Sequence, residues 1–257
     1  MDKLLESSWL FLLIFARMIG FVVLNPFFGK KILPAMVKVC LAGALSFPAF
    51  LNASQQQQGA CEENLIGFGV LALLELCLGF MFGFVADCVL SAIVFGGELF
   101  DMQMGFSASK FFDPTSGAEI SISGSLIRVL FMFVFFLSGA HINMLGIIFK
   151  SFQVIPLGQV LNFKTACLFF LDFSKEILTI GVKMVMPMMA AILIMDIGVG
   201  VLMKAIPQLN VFVLNIYVKL IVGFLLLLKM GPNFIEFSHK LTNTLFVGME
   251  RLIGTLH

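Results

Sequence analysis

The chain has 257 residues, of which 60% are hydrophobic and only 12% charged, and a mean hydropathy of +1.06. A soluble domain is roughly 45–50% apolar and about 25% charged, so this composition reads as an integral membrane protein. The net charge of +1 provides no clustered basic face and argues against a nucleic-acid binder.

At the N-terminus, "MDKLLESSWLFLLIFARMIG" carries Asp2 and Glu6 where a secretory signal would be basic, and no small-residue cleavage site follows its apolar run. The first segment is expected to be retained. Spanning a bilayer takes about 20 apolar residues, and six segments qualify, near 9–25, 35–51, 65–95, 126–149, 176–203 and 209–229. The fold class expected is all-α, a membrane-type protein of about six long apolar helices.

Between the first two segments, "NPFFGKKILP" carries Lys30 and Lys31 and reads as cytoplasmic, whereas "NASQQQQGACEEN" has no Lys or Arg and belongs on the other side. Beyond that point Lys150, Lys164, Lys204, Lys229 and Lys240 fall on both sides of any six-pass threading. Either a short-looped bundle tolerates them, or the chain is not a free-standing bundle in lipid; two observations favour the second. Segment 65–95 as one helix would be about 46 Å long, against a hydrocarbon core of about 30 Å, so it must tilt, break or leave the membrane. In addition, Arg17, Glu75, Asp87, Arg128, His141, Lys183, Asp196 and Lys219 all lie in apolar segments, where ionisable groups are costly unless they face protein or water.

Within the third segment Glu75, Gly79, Gly83 and Asp87 recur at i+4. That spacing forms one slanting ridge with a small-xxx-small centre that a second helix can approach closely. The last two segments form a hairpin around "KAIPQLN", with Pro207, Gln208 and Asn210 at its tip and Pro207 suited to the first turn of the returning helix. Asp196 and Lys219 stand at nearly equal distances on either side of Pro207, and the antiparallel arms predict that they pair. Pro187 is expected to kink the first arm. In the tail, Phe234, Phe237, Leu241, Leu245, Met249 and Leu252 recur at spacings of three and four, an amphipathic helix that lies on the membrane or docks on a partner.

Catalytic and ligand-binding motifs do not emerge. There is no G-x-x-x-x-G-K-[ST] loop, and His141, His239 and His257 form no metal-binding pair. Ser123 lacks the preceding glycine of a nucleophile elbow. Cys40, Cys77, Cys88 and Cys167 lie in apolar stretches and Cys61 in a polar loop, with no close-spaced pair. His141 reads as a hydrogen-bonded packing residue, and neither an enzyme nor a cofactor, zinc site or disulfide framework is expected.

Residues 97–124 are too polar to span and too apolar for a plain solvent loop. Asp113, Pro114 and Gly117 in "FFDPTSGAE" are turn formers. Irregular backbone at membrane depth persists only when buried in protein or lining a wet cavity. This stretch, as "QMGFSASKFFDPTSG", together with "FARMIGFVVLNPFFG", "SFQVIPLG" and "GVGVLMKAIPQLNVF", resembles the FliR family of flagellar biosynthetic proteins. The counterpart of that family in virulence injectisomes is the SctT family.

The resemblance implies a non-enzymatic subunit of the type III export gate. Such a subunit assembles with FliP and FliQ homologues, abuts an FlhB homologue and passes unfolded export substrates. It also implies a FliP-like part, 1–164, before a FliQ-like hairpin and tail, 165–257, in the bacterial inner membrane at the flagellar basal body, with helices raised toward the periplasmic side. By the same resemblance the pore is plugged by Met102, Gln103, Met104, Gly105, Phe106, Phe111, Phe112, Asp113, Pro114 and Gly117. Arg17, Glu75, Gly79, Gly83, Asp87, Arg128, Asp196 and Lys219 are read from their own chemistry as helix-packing or ion-pairing residues. A secondary transporter would also carry broken helices and mid-membrane charges, but no inverted repeat is visible.

Overall fold

The computed structural model describes residues 2–28, 33–53, 65–106, 121–159, 162–205 and 211–256. Among these the secondary structure is helical: α1 (Asp2–Leu24), a 3-10 turn (Pro26–Phe28), α2 (Ala35–Ala53), α3 (Leu65–Met104), α4 (Ile122–Leu137), α5 (Ala140–Val154), α6 (Phe163–Ala205) and α7 (Val211–Leu256). The all-α class follows.

Element boundaries have local causes. α1 ends before Asn25, whose side-chain oxygen accepts the Phe27 N–H at 2.9 Å, and Pro26 opens the 3-10 turn where its missing donor is harmless. Ser121 starts α4 with an extended backbone, its hydroxyl accepting the Gly124 N–H at 2.8 Å, the usual serine N-cap. The apolar run 126–149, expected as one segment, is two helices. Gly139 takes a left-handed φ of 69° between them, a conformation that costs glycine little.

α3 is longer than expected. Instead of giving way to a loop at Gly97, it continues to Met104 as one helix of 40 residues, about 60 Å at the α-helical rise. Its extra turns are held by close backbone approach at Gly96 and Gly97. α6 likewise runs through Pro187 as a single 43-residue helix. α7 passes as an apolar span only as a bent pair, Asn215–Gly231 and Asn233–Leu256. By length and hydropathy Ile66–Met104 and Phe163–Leu202 qualify as spans alone, and α1 and α2 contribute shorter apolar helices.

Two compact units emerge. One comprises Met1–Val89, Gly139–Ser174 and Thr242–His257, with Leu13, Phe21, Phe82, Met144 and Leu245 in its core. The C-terminal part of α7 is packed there, with Leu245, Met249 and Leu252 fully buried and Gly248 against the Phe173 ring. The amphipathic tail therefore docks on its own chain, neither of the two seats considered from sequence. The other unit comprises Leu90–Ser138 and Lys175–Leu241, built around Ile93, Phe100, Phe131, Phe135 and Ile192.

Many large apolar side chains are exposed, among them Phe47, Val129, Phe133, Ile194, Ile197, Ile221 and Leu228. Water is a poor medium for such faces; hydrocarbon or other apolar helices suit them.

Candidate functional site

The ends of the central loop are built with care. Gly97 of α3 faces Gly124 of α4 so closely that a Cβ on Gly97 would overlap the Gly124 backbone. One turn further along α3, the buried Asp101 carboxylate accepts the Ser121 hydroxyl at 2.7 Å and the Ser123 N–H at 3.2 Å. Ser121 serves twice, as donor to Asp101 and as the cap of α4. The carboxylate thus sits over the first turn of α4, where unpaired N–H groups and the helix dipole favour negative charge.

The sequence-predicted plug residues divide around this stem. Met102, Gln103 and Met104 belong to the last turn of α3, and Gly105 and Phe106 form the turn that ends it, with Gly105 at a φ of 85°. Met102 is exposed, whereas Met104 is buried with its sulfur against Gly223 of α7. The expected loop 97–124 is shortened from both ends: α3 continues to Met104, and α4 begins at Ile122 with its Ser123 N–H accepted by Asp101 and its Gly124 N–H by Ser121. Phe111, Phe112, Asp113, Pro114 and Gly117 lie outside the described residues, as do Pro207, Gln208 and Asn210.

A second cluster lies within the first unit. Arg17 is completely buried and its Nε donates to Glu75 Oε2 at 2.5 Å. One Nη reaches the Ser151 carbonyl at 3.3 Å and the Ser151 hydroxyl at 3.5 Å. The other donates to the Ile155 carbonyl at 3.4 Å, and the Phe152 ring covers the guanidinium with its centroid 4.5 Å from Cζ. The second oxygen of Glu75 accepts the Gly158 N–H at 2.9 Å, from a backbone at φ 79°. Two separate motifs of the sequence, "FARMIG" and "SFQVIPLG", thereby converge on one ion pair.

The glycine ridge is what lets that pair form. α1 lies along it: a Cβ on Gly79 would overlap the Arg17 carbonyl, one on Gly20 the Leu76 carbonyl, and one on Gly83 would meet Leu24 and Phe21. Asp87, on the same ridge, is half-buried and has an interaction of its own. In the second unit Lys219 Nζ stands 2.9 Å from Asp196 Oδ2, so the hairpin arms bring the expected pair together. Arg128 is exposed on α4. Lys150 and Glu250 lie 3.7 Å apart on the surface, a separation and exposure worth little.

Sequence reasoning missed Asp101, Ser121, Ser151, Gly158 and Gly20. A capping serine before the apolar run at Ile122 was legible, but the partner of its hydroxyl is twenty residues away. Among the described residues no group of three or more His, Cys, Asp or Glu side chains could hold a metal.

A family model described as bacterial export proteins, family 1, matches residues 8–245. The flagellar biosynthetic protein FliR of Bacillus subtilis is 29% identical over 231 residues, 89% of this chain and 88% of its own. The FliR of Aquifex aeolicus is 30% identical over 236 residues, 90% of each chain. The Yop proteins translocation protein T of Yersinia pestis is 26% identical over 222 residues, 84% of this chain and 83% of its own. With a family model matching residues 8–245 and FliR relatives matched over about nine-tenths of its length, the chain belongs to the FliR family, the bacterial export proteins of family 1.

Proposed function

We propose that this protein forms, with FliP and FliQ homologues, the channel that passes unfolded flagellar proteins, and that its segment 106–122 plugs that channel. Family membership makes it a membrane-embedded subunit of the type III export gate. The similarity to flagellar FliR proteins over nine-tenths of both chains is the observation that carries the proposal. The plug reading is supported by the stem: a stretch flanked by bulky Met and Phe side chains leaves from two helix ends joined backbone to backbone. Such side chains can seal a pore against ions, and methionine can re-pack around a passing chain.

The FliP-like part, 1–164, and the FliQ-like hairpin and tail, 165–257, would each pack against the homologous subunits, with an FlhB homologue alongside and lipid at the rim. The protein would reside in the inner membrane, raised toward the periplasmic side; the length of α3 supports a helix that extends beyond the bilayer. Its 40 residues extend about 60 Å, twice the hydrocarbon thickness.

The test is ion leakage through cells expressing the protein with its FliP and FliQ partners, comparing the wild type with a deletion of 106–122. Leakage only in the deletion, with the complex still assembling, supports the plug. A tight, assembled deletion refutes it. The Yersinia relative favours a second reading, an SctT-type injectisome subunit. Restored swimming in a bacterium lacking its own FliR supports the flagellar reading, and failure despite assembly favours the injectisome.

A further inference from the structure

We infer that Asp101 is a positioning residue, whose carboxylate clasps the two ends of the central loop and fixes where that loop leaves the helices. The consequence for sealing rests on the plug reading above; the clasp itself stands on the geometry of the described residues. Three observations carry it. Asp101 is buried, and its contacts come from the far end of the loop: the Ser121 hydroxyl at 2.7 Å and the Ser123 N–H at 3.2 Å. A buried carboxylate is expensive unless it is hydrogen-bonded, so separating the loop ends would leave both the Asp101 carboxylate and the Ser123 N–H without partners. The Gly97–Gly124 approach brings the two backbones near enough for so short a side chain to bridge them.

The near end is fixed as well. Met104, one turn after Asp101, is buried with its sulfur against the bare backbone of Gly223 on α7. The last turn of α3 is thus seated on a neighbouring helix while its carboxylate holds α4.

The experiment uses the full chain assembled with its FliP and FliQ homologues. The five cysteines are replaced and spin labels are placed at Met102→Cys and Ile122→Cys, both exposed positions beside the clasp. The parent should give a narrow inter-label distance distribution. Asp101→Ala removes the oxygen that accepts both bonds, and Ser121→Ala removes the bridging hydroxyl; each should lose the narrow peak and raise ion leakage to that of the 106–122 deletion. Ser121→Thr keeps the hydroxyl and should retain the narrow peak and the tight membrane.

A narrow peak persisting in both Asp101→Ala and Ser121→Ala overturns the clasp. A broadened peak with no leakage, in cells where the deletion leaks, overturns the positioning role. Should the deletion itself stay tight, the plug reading fails while the label distances still decide the clasp. Should Asp101→Ala not assemble, Ser121→Ala decides it.

Discussion

Arg17 makes five contacts from a site with no exposed surface, and only a planar fork of donors can make them together. Arg17→Lys keeps the charge but offers one compact head, so the Ser151 and Ile155 carbonyls lose their donors. Arg17→Met leaves Glu75 buried and uncompensated, a loss of about 3–5 kcal/mol for a broken buried pair. Replacing both, Arg17→Met with Glu75→Leu, should recover much of that loss, since an apolar pair of similar volume is often neutral. Thermal denaturation of the purified gate complex checks the order expected: wild type above the double variant, and the double variant above Arg17→Met. A double variant no better than the single one would show that the ion pair itself stabilises the unit.

Asp196 and Lys219 occupy a different setting. Their side chains are 30% and 16% exposed, and both stand in apolar segments, where an ionisable group is costly without a partner. Asp196→Lys and Lys219→Asp should each reduce the amount of assembled complex, because each sets like charges face to face. The exchange of both residues should restore it. Assembly no better in the exchange than in either single variant would mean that the sequence-derived pairing has no energetic weight.

At the scale of helices, small residues decide what can approach what. Gly79→Ala drives a methyl into the Arg17 carbonyl of α1, and overpacking of this kind costs about 1–3 kcal/mol. Gly69→Ala, on the same helix with nothing within 4 Å of its added carbon, should instead gain about 0.5–1 kcal/mol by relieving the entropy cost of a mid-helix glycine. Opposite signs from two glycines ten residues apart, read as shifts in melting temperature of the complex, are the expected result. Equal shifts would mean that α1 does not lie on the ridge. This ridge was legible because i+4 spacing is a property of a single helix. The ends of the central loop were not. Polar residues such as Glu98 and Asp101 look like loop formers until the partner helix that satisfies them is known, and Ser121, Ser123 and Gly124 are distant in sequence. The Gly139 break hid in the same way, since hydropathy averages over one glycine while the backbone does not.

For the molecule as a whole, the tail shows how far pattern alone reaches. Leu241, Leu245, Met249 and Leu252 announced an apolar face, but a face does not name its cover, and the cover proved to be this chain. The reverse holds for α4, α6 and α7. Their exposed Val129, Phe133, Ile194, Ile197, Ile221 and Leu228 form faces that the chain does not cover, beside charged side chains such as Arg128 and Lys183. Lipid accepts the first kind of residue and penalises the second; a neighbouring protein subunit can accept both. The protein should therefore turn over quickly when expressed alone and persist when FliP and FliQ homologues are co-expressed. Pulse-chase measurement of its half-life in the two strains checks this. Binding to the folded form stabilises by mass action, so half-life should rise with partner dosage. Equal half-lives would mean that lipid alone satisfies these faces, and the charged positions would then have to reach water or snorkel to the interface.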